Sequence, residues 1–254
     1  MILGILQARV SSTRLPGKVL KPILGQPMLA RQLERLARSR RIDRLVVATS
    51  TDASDDPLAA ACREFGVECY RGSLDDVLDR FYQAARNHRP EHVVRLTGDC
   101  PLADPELIDQ LIDFYLTEGC DYASNCHEPS LPDGLDAEIL RMSALESAWR
   151  EARLSSEREH VTPFIRNHPE RFRVAIWKNA VDYSSQRWTV DEAEDFLFVT
   201  RVYEALYPKS PTFGMADVLK LLTEVPDLAE INSDYRRNEG FEKSLKADAK
   251  AEKA

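Results

Sequence analysis

The sequence predicts an α/β protein built on a doubly wound, mostly parallel sheet. Short apolar runs alternate with helical patterns from residue 2 to about residue 122, which is typical of parallel strands joined by helical crossovers. Right-handed crossovers then place helices on both faces of the sheet. The chain has 254 residues, of which 43% are hydrophobic and 30% charged, so it is long enough to form one large core.

Four buried strands are predicted in the first half of the chain. Most of them are nearly continuous apolar runs, without the polar alternation of a strand that is exposed on one face. The predicted strands cover residues 2–8, 45–49, 67–70 and 92–97.

The helices between these strands are predicted from apolar spacing and from signals at their ends. Residues 28–37 carry apolar side chains in helical spacing. Residues 57–65 begin with Pro57 and are followed by Gly66, which are typical start and stop residues. Two further helices begin at capping sequences, at residues 73–76 and 104–105.

The regular alternation weakens after Tyr122, where an insert is predicted over about residues 123–180. Residues 125–135 contain two prolines and several turn formers, which predict a long loop beside the site. The other elements expected from here on are strands at 137–140, 172–177 and 188–190, helices starting near Ser143, Ser156 and Asp191, and a last helix over 213–222.

Residues 1–238 are predicted to form a single domain. From residue 239 onward the chain is mostly Lys, Glu and Ala, which predicts a flexible charged tail over 239–254. No apolar run approaches the roughly 20 residues of a membrane helix, and no basic region precedes the apolar first residues, as a secretory signal requires. The five cysteines form no Cys-x-x-Cys pair, which disfavours a zinc ribbon. We therefore expect a cytoplasmic protein without membrane contact.

Positive charge is concentrated near the start of the chain. Residues 1–41 hold nine Lys or Arg and one Glu, whereas the whole chain has a net charge of -8. A small basic zone on an acidic protein lacks the extended positive surface that nucleic acid requires. It suits a compact polyanion such as a nucleoside triphosphate.

The polar loop after the first strand is the most informative segment. Within ten residues it contains Arg9, Arg14 and Lys18 together with three hydroxyl side chains. Ligands of open α/β sheets bind at the carboxyl ends of strands, and Arg, Lys and backbone N–H groups balance the charge of a triphosphate. The loop is neither of the common glycine-rich phosphate loops, and a solvated basic loop is the alternative interpretation.

The same loop carries a family resemblance, through the segments AR at 8–9 and STRLPGK at 12–18. These segments closely resemble the signature of the cytidylyltransferases that make CMP-sugars, especially the 3-deoxy-manno-octulosonate and acylneuraminate enzymes. The wider chain is similar to the subgroup of spore coat polysaccharide biosynthesis protein F, through RGSLDDVLDR at 71–80, TGDCPL at 97–102, GLD at 134–136 and EREHVT at 157–162.

The resemblance implies a nucleotide-diphosphosugar-transferase fold and transfer of CMP from CTP to an acidic sugar or related anionic acceptor. This reaction would release pyrophosphate and would serve cell-surface polysaccharide biosynthesis. It also implies Mg²⁺ bound by Asp99, after the central strand, and by Asp191, before a late helix; carboxylates are ligands that Mg²⁺ prefers. Each aspartate has an alternative interpretation, because Asp99 could close a turn and Asp191 could cap its helix.

The predicted site residues form three groups. Arg14 and Lys18 are the predicted catalytic residues, expected to hold the β and γ phosphates. The residues expected to bind the nucleotide are Ala8, Arg9, Ser12, Thr13, Arg71, Ser73 and Asp99. The residues expected on the acceptor side are Asp133, Asp136, Glu157, Arg158 and His160, with no role as a base for His160. A homodimer is also expected, and the insert would cover the acceptor or form the dimer contact.

Two other functions stay open on the same pattern. A glycosyltransferase would bind a finished nucleotide sugar on a similar sheet, since fold does not fix function. A non-catalytic nucleotide-binding subunit would need the cations but neither metal carboxylate. The triphosphate-sized set of cations disfavours the first alternative, and the two aspartates disfavour the second.

Overall fold

The computed structural model describes residues 1–235, 237 and 239–251, and its centre is a seven-stranded sheet. The strands are β1 (Ile2–Gln7), β2 (Pro22–Ile23), β3 (Gln26–Pro27), β4 (Arg44–Ser50), β5 (Glu68–Gly72), β6 (His92–Thr97), β7 (Tyr122–Ser124), β8 (Glu138–Arg141) and β9 (Val174–Ile176). The helices are α1 (Met28–Leu36), α2 (Asp56–Glu64), α3 (Val77–Arg86), α4 (Pro105–Glu118), α5 (Met142–Glu151), α6 (Ser155–His160), α7 (Pro163–Arg166), α8 (Ala193–Leu206), α9 (Met215–Glu224), α10 (Asp227–Glu230) and α11 (Glu239–Ala251).

The strand order in the sheet is β5-β4-β1-β6-β8-β7-β9, and β2 pairs with β3 in a separate small ribbon. β1 pairs in parallel with β4 and β6, and β4 with β5. β8 is antiparallel to both of its neighbours, whereas β9 is parallel to β7. Among the described strands of this sheet, β8 is therefore the reversed one, and the predicted doubly wound, mostly parallel sheet is confirmed.

Strand β1 explains why helices pack on both faces of the sheet. Successive side chains of a strand point to opposite faces, so the buried Leu3 and Ile5 lie in one core and Leu6 in the other. The Leu6 core contains residues of α1, α2, α4, α8 and α9, and the opposite core contains residues of α3, α5 and α7. A strand covered on both faces has no polar face, which explains its continuous apolar sequence.

The predicted helix starts at 73–76 and 104–105 are confirmed by side-chain caps. Asp76 accepts a hydrogen bond from the backbone N–H of Asp79 at the start of α3. Asp104 accepts from Glu106 N–H at the start of α4 and also from Met215 N–H at the start of α9. The second contact joins the ends of two helices on the same face of the sheet.

The insert begins within β7 and follows most of its predicted outline. The strands predicted at 137–140 and 172–177 correspond to β8 and β9, and α5 and α6 each begin one residue before the predicted start. The strand predicted at 188–190 is wrong. Trp188 N–H donates to the Asp133 carbonyl at 2.6 Å and Val190 N–H to the Asp99 carbonyl at 2.7 Å, so this segment binds two separate loops instead of one neighbouring strand.

Residues 239–251 are helical, in contrast to the flexible tail that their composition predicts. Lys, Glu and Ala are strong helix formers, and Phe241, Ser244 and Asp248 recur at helical spacing on the side that contacts α6 and the residues after it. Residues 252–254 of the predicted tail lie outside the described residues. No helix in the described part of the chain is long and apolar enough to cross a membrane.

Candidate active site

The candidate site is a cavity of about 540 Å³ at the carboxyl ends of β1 and β6. Gly98, directly after β6, lets the two strand ends approach closely. A Cβ atom on this residue would lie 2.8 Å from the Cβ of Ala8, and Gly98 N–H donates to the Gln7 carbonyl at 2.8 Å. The cavity walls include ten of the predicted site residues, namely Ala8, Arg9, Ser12, Thr13, Arg14, Lys18, Asp99, Arg158, His160 and Asp191.

The basic loop after β1 is held by a buried carboxylate that the sequence did not reveal. Asp55 accepts a hydrogen bond from Val10 N–H at 2.7 Å and another from Ser50 N–H at 3.1 Å. Burial acts to raise the pKa of Asp55, but its hydrogen bonds with Ser50 and Val10 outweigh burial and lower it. Asp55 therefore anchors the loop to the end of β4 as an ionised group.

Lys18 lies between the two aspartates predicted to bind metal. Its Nζ atom is 2.8 Å from Asp191 Oδ1 and 4.0 Å from Asp99 Oδ2, and it donates to the Val190 carbonyl at 2.7 Å. Lys18 is only 8% exposed. The structure thus places a predicted phosphate-binding cation and both predicted metal ligands within one small cluster.

Arg14 extends this cluster toward the cavity mouth. Its guanidinium is 2.9 Å from Asp191 Oδ2 and 3.3 Å from Glu192 Oε1. Burial acts to raise the pKa of Asp191, but the positive charge of Lys18, its hydrogen bond, and the charges of Arg14 and Arg187 outweigh burial and lower that pKa. Asp191 is therefore an ionised carboxylate held by several cations.

The helix-cap interpretation of Asp191 is wrong. Glu192 is the N-cap of α8, and Asp195 completes a reciprocal capping box with it. Asp191 lies one residue before the cap, and its own N–H donates to Asp195 at 2.9 Å. Its carboxylate is consequently free of a capping role and faces Lys18 and Arg14.

A second group of residues orients Asp191 and was missed in the sequence. Arg187 makes two hydrogen bonds of 2.8 Å with the buried Asp195, and Asn232 donates to the same carboxylate at 2.8 Å. Arg187 also lies 3.6 Å from Asp191 Oδ2. Asn232 is far along the chain from the others and belongs to no motif, so no sequence signal linked it to the site.

An acidic cavity of about 200 Å³ adjoins the main one and is lined by Asp99, Asp133, Asp136 and Asp191 among others. Asp133 forms an ion pair with Arg187 at 3.2 Å, and Asp136 forms one with Arg237. Burial raises the pKa of Asp133 to about 6 and that of Asp136 to about 7, despite their arginine partners. The structure thus brings two predicted acceptor-side aspartates next to the two predicted metal ligands.

Arg158 and His160 line the main cavity, whereas Glu157 is not among its lining residues. Glu157 accepts hydrogen bonds from the N–H groups of Arg153 and Leu154 at 2.9 and 3.1 Å. It therefore stabilises the start of α6. Arg158 binds the Asp76 carboxylate at 3.0 Å, so it also joins α6 to the start of α3.

Arg71 and Ser73 are not among the lining residues of the main cavity, although Leu74, directly after Ser73, is one of them. Arg71 donates to the carbonyls of Ser50 and Asp52 and pairs with Asp56 at 2.7 Å. Ser73 accepts from Asp76 N–H at 3.0 Å, as a residue at a helix start does. The structure assigns both side chains to local structure, and their contact with a nucleotide stays a prediction.

Comparison with known proteins identifies this arrangement. A family model described as cytidylyltransferase matches residues 3–239. The chain belongs to the cytidylyltransferase family. The segments at 8–9 and 12–18 that carried the resemblance lie within the match and line the main cavity, so the resemblance is confirmed.

Two relatives of this cytidylyltransferase span nearly its whole length, and a third matches less than half of it. It is 35% identical over 241 residues to the uncharacterized protein MJ1063 of Methanocaldococcus jannaschii, covering 93% of this chain and 96% of that protein. It is also 35% identical over 235 residues to spore coat polysaccharide biosynthesis protein SpsF of Bacillus subtilis, covering 90% and 96%. A 3-deoxy-manno-octulosonate cytidylyltransferase of Geobacter sulfurreducens is 41% identical over 113 residues, 44% of each chain.

Solved structures give the same fold. A cytidylyltransferase from Leptospira borgpetersenii superimposes with a TM-score of 0.86 at 32% identity and covers 92% of this chain and 99% of that chain. A CMP-2-keto-3-deoxy-manno-octonic acid synthetase, solved with CTP, superimposes with a TM-score of 0.63 at 17% identity and covers 80% and 98%. At that identity the second match bears on the fold alone.

A further cavity of the cytidylyltransferase, of about 600 Å³, opens beside the main one and shares Arg95, Thr97 and His160 with it. The buried Glu138 forms part of its wall and pairs with Arg95. Glu138 also accepts hydrogen bonds from Tyr122 and Thr162. Cys126, His127 and Glu138 lie close enough to hold a metal ion, but these existing bonds already satisfy the carboxylate.

Proposed function

We propose that this protein transfers CMP from CTP to an acidic sugar or related anionic acceptor, with release of pyrophosphate, for surface polysaccharide synthesis. The observation that carries the proposal is the cluster of Arg14, Lys18, Asp99 and Asp191 at the carboxyl ends of β1 and β6. The family and the relatives named for polysaccharide biosynthesis and for 3-deoxy-manno-octulosonate support the same reaction.

The main cavity fits a nucleoside triphosphate in volume and charge. At about 540 Å³, it falls within the ~300–1,000 Å³ of small-molecule sites. Arg9, Arg14, Lys18 and Arg80 line it, and such cations balance phosphate charge through charge-assisted hydrogen bonds. Lys18 and Arg14 now bind carboxylates, and they would turn to phosphate oxygens when the nucleotide enters.

Asp99 and Asp191 would hold the Mg²⁺ that we propose for this reaction. Both offer a carboxylate oxygen within 4.0 Å of Lys18 Nζ, and a hard cation prefers such ligands together with phosphate oxygens and water. A relative in fold, Rv0371c of Mycobacterium tuberculosis, was solved in complex with manganese (TM-score 0.52, 18% identity). The bound ion would neutralise charge on the phosphates during transfer.

The side chains would act mainly by positioning and charge. An acceptor oxygen attacks the α phosphorus in line as pyrophosphate leaves, and fixed cations stabilise the charge that develops. Arg14 and Lys18 would hold the departing pyrophosphate. The acceptor would lie on the side of His160 and the insert, where we expect Asp133, Asp136 and Arg158 to contact it.

We propose that residues 1–238 form a single domain, against which α11 packs. We also propose a cytoplasmic reaction, where CTP is available, and a homodimer in solution. Light scattering of the purified protein measures the last of these directly, and a monomeric mass would contradict it.

A pyrophosphate-release assay tests the function. The four nucleoside triphosphates are each combined with 3-deoxy-manno-octulosonate, N-acetylneuraminate and a set of phosphorylated alcohols, with and without Mg²⁺. We expect release only with CTP, an acid acceptor and the metal. Absence of release with every pair, together with transfer from a CMP-sugar to another acceptor, would support a glycosyltransferase instead.

A further inference from the structure

We propose that helix α11 forms the acceptor-side wall of the active site and that Phe241 positions Arg166 to bind the acid group of the acceptor. The inference rests on the proposed function. It concerns a segment that begins where the matched family region ends, since the match stops at residue 239 and α11 starts there.

Helix α11 is fixed to α6 by polar contacts. The Asp248 carboxylate accepts from Ser156 N–H at 3.3 Å. The Ser244 hydroxyl donates to Glu159 at 2.6 Å and lies 3.0 Å from His160 Nε2. Ser244 and Asp248 are both buried. The helix therefore has a specific docking face, which its composition does not reveal.

The helix covers the cavity beside the nucleotide site without filling it. Phe241 and Leu245 line this cavity of about 600 Å³, and Gly240 lines both the main and the acidic cavities. Because the space beneath the helix has the volume of a small-molecule site, α11 acts as a wall and not as a plug. The shared lining residues, Arg95, Thr97 and His160, place this space directly beside the nucleotide cavity.

Arg166 gives this cavity its preference for an anion. Its guanidinium lies 4.5 Å from the centre of the Phe241 ring and contacts the imidazole of His127. No carboxylate among the described residues forms an ion pair with it, whereas Arg95 in the same cavity pairs with Glu138. A half-buried arginine held by two rings can still offer its N–H groups to a carboxylate.

Phe241 acts through Arg166 and His160. The cation–π contact fixes the guanidinium plane, and the ring meets the imidazole of His160 edge-on at 5.0 Å. Removal of the ring would free the arginine to take other rotamers, and the acceptor acid would then have to order it. Removal of the ring would therefore weaken binding of the acceptor but not of the nucleotide, since Phe241 does not line the nucleotide cavity.

The test compares Phe241→Ala, Phe241→Tyr and Lys243→Ala in the full chain, by steady-state pyrophosphate release with CTP and the sugar acid that the wild type uses. Phe241→Ala should raise KM for the acid about tenfold and leave KM for CTP within about twofold. Tyrosine, which keeps the aromatic face, should restore the acid KM. Lys243 is exposed on the same helix, so its variant should match the wild type.

Three outcomes overturn the inference: an unchanged acid KM in Phe241→Ala, a lowered one, as a plug predicts, or equal changes for both substrates. These outcomes require an active enzyme, so they are distinct from failure of the proposed function, in which the wild type releases no pyrophosphate. Thiol labelling of Cys126, which lines the same cavity, adds a readout that needs no acceptor. Labelling should be faster in Phe241→Ala than in the wild type, and equal rates would show that α11 does not cover the cavity.

Discussion

Lys18 links the two aspartates of the proposed catalytic cluster, because its ammonium group touches Asp191, approaches Asp99 and binds the Val190 carbonyl. The sequence predicted Lys18 as a phosphate ligand from its position in a basic loop. The structure adds that the same charge lies beside the carboxylates that would bind metal and neutralises them. Substitution of a residue with both roles should therefore affect nucleotide binding and metal binding together.

We predict that Lys18→Ala lowers turnover by about 10² or more, because it removes a charge that stabilises the leaving pyrophosphate. Melting temperature should also fall, since Asp191 loses its partner at 2.8 Å. Turnover and melting temperature are measured beside Lys21→Ala, a basic residue of the same region that is not among the lining residues of the main cavity. Wild-type turnover in Lys18→Ala would exclude the loop from catalysis.

Asp191→Asn and Glu192→Gln should together separate metal binding from capping of α8. An amide is a weaker Mg²⁺ ligand than a carboxylate, so we expect turnover to fall about tenfold or more and the magnesium requirement to rise. Glu192→Gln is the matched control, because Glu192 is the actual cap of α8 and also contacts Arg14. A magnesium titration of both variants decides the point, and an identical response in the two would remove Asp191 from the proposed metal site.

His92 should make stability depend on pH. It is buried at the start of β6, where its Nδ1 atom lies 2.9 Å from the Tyr115 hydroxyl, and burial lowers its pKa below the ordinary value. The pKa of His92 is lower in the folded protein than in the unfolded one. The stabilising contribution of the neutral His92 ring is therefore fully present above the unfolded pKa, about 6.5, and is lost as pH falls through the folded pKa.

From pH 7 to pH 5 the melting temperature of the wild type should therefore fall relative to that of His92→Gln; the raised pKa values of Asp133 and Asp136 act in the opposite direction, but equally in both proteins. Neighbouring charges on Glu91 and Arg141 also act on this ring, so the comparison is made at constant ionic strength. An equal fall in both proteins would assign the pH dependence to other groups.

Among the elements, the loop between β7 and β8 depends on one glycine. Gly134 has φ of 106°, and a Cβ atom there would lie 2.4 Å from the backbone nitrogen of Thr189. This close approach holds Asp133 and Asp136 against the segment that leads to Asp191. Neither the dihedral angle nor the contact tolerates a larger residue.

We predict that Gly134→Ala costs about 3 kcal/mol in unfolding free energy, from combined backbone strain and overpacking. Gly66→Ala is the control, since Gly66 has φ of 66° but open space around it, and it should cost only about 1–2 kcal/mol. Urea denaturation measures both. Equal losses would mean that the loop moves away from Thr189 at little cost.

The elements that were predicted correctly are marked by local sequence signals, such as an apolar run or a capping residue at the start of the element. The strand predicted at 92–97 matches β6 at both ends, and the capping residues Asp76 and Asp104 mark their helices. The segment at 188–190 looked like a strand because it is apolar, but its hydrogen bonds go to loops that only the fold brings near. Helix α11 was missed because each of its turns has few large apolar residues, and its docking contacts are polar.

The candidate site was predicted in the same uneven way. Arg14, Lys18, Asp99 and Asp191 were found through motifs and lie together. Asp55, Arg187 and Asn232 were missed, because a buried polar residue that supports another carries no local pattern. Arg71 and Glu157 matched motif positions, yet they bind backbone groups near their own elements.

At the scale of the whole molecule, the site draws on the beginning, middle and end of the described chain. The loop after β1, the end of β6 and the segment before α8 form one cavity only in the folded state. A ligand that binds there should therefore stabilise the fold as a unit.

We predict that CTP with Mg²⁺, at about 100 times its dissociation constant, raises the melting temperature by about 5–10 °C. Arg14→Ala should show a much smaller rise at the same concentrations. Differential scanning fluorimetry measures both, with Mg²⁺ alone as the reference. A rise of equal size in the variant would place the triphosphate elsewhere.

The direction of β1 has a practical consequence for attaching other molecules to this protein. Met1 is exposed, and its carbonyl accepts from Glu91 and His92 at the amino end of the sheet, about 20 Å of strand from the cavities at the other end. An affinity tag or fluorophore joined before Met1 would therefore leave substrate entry open.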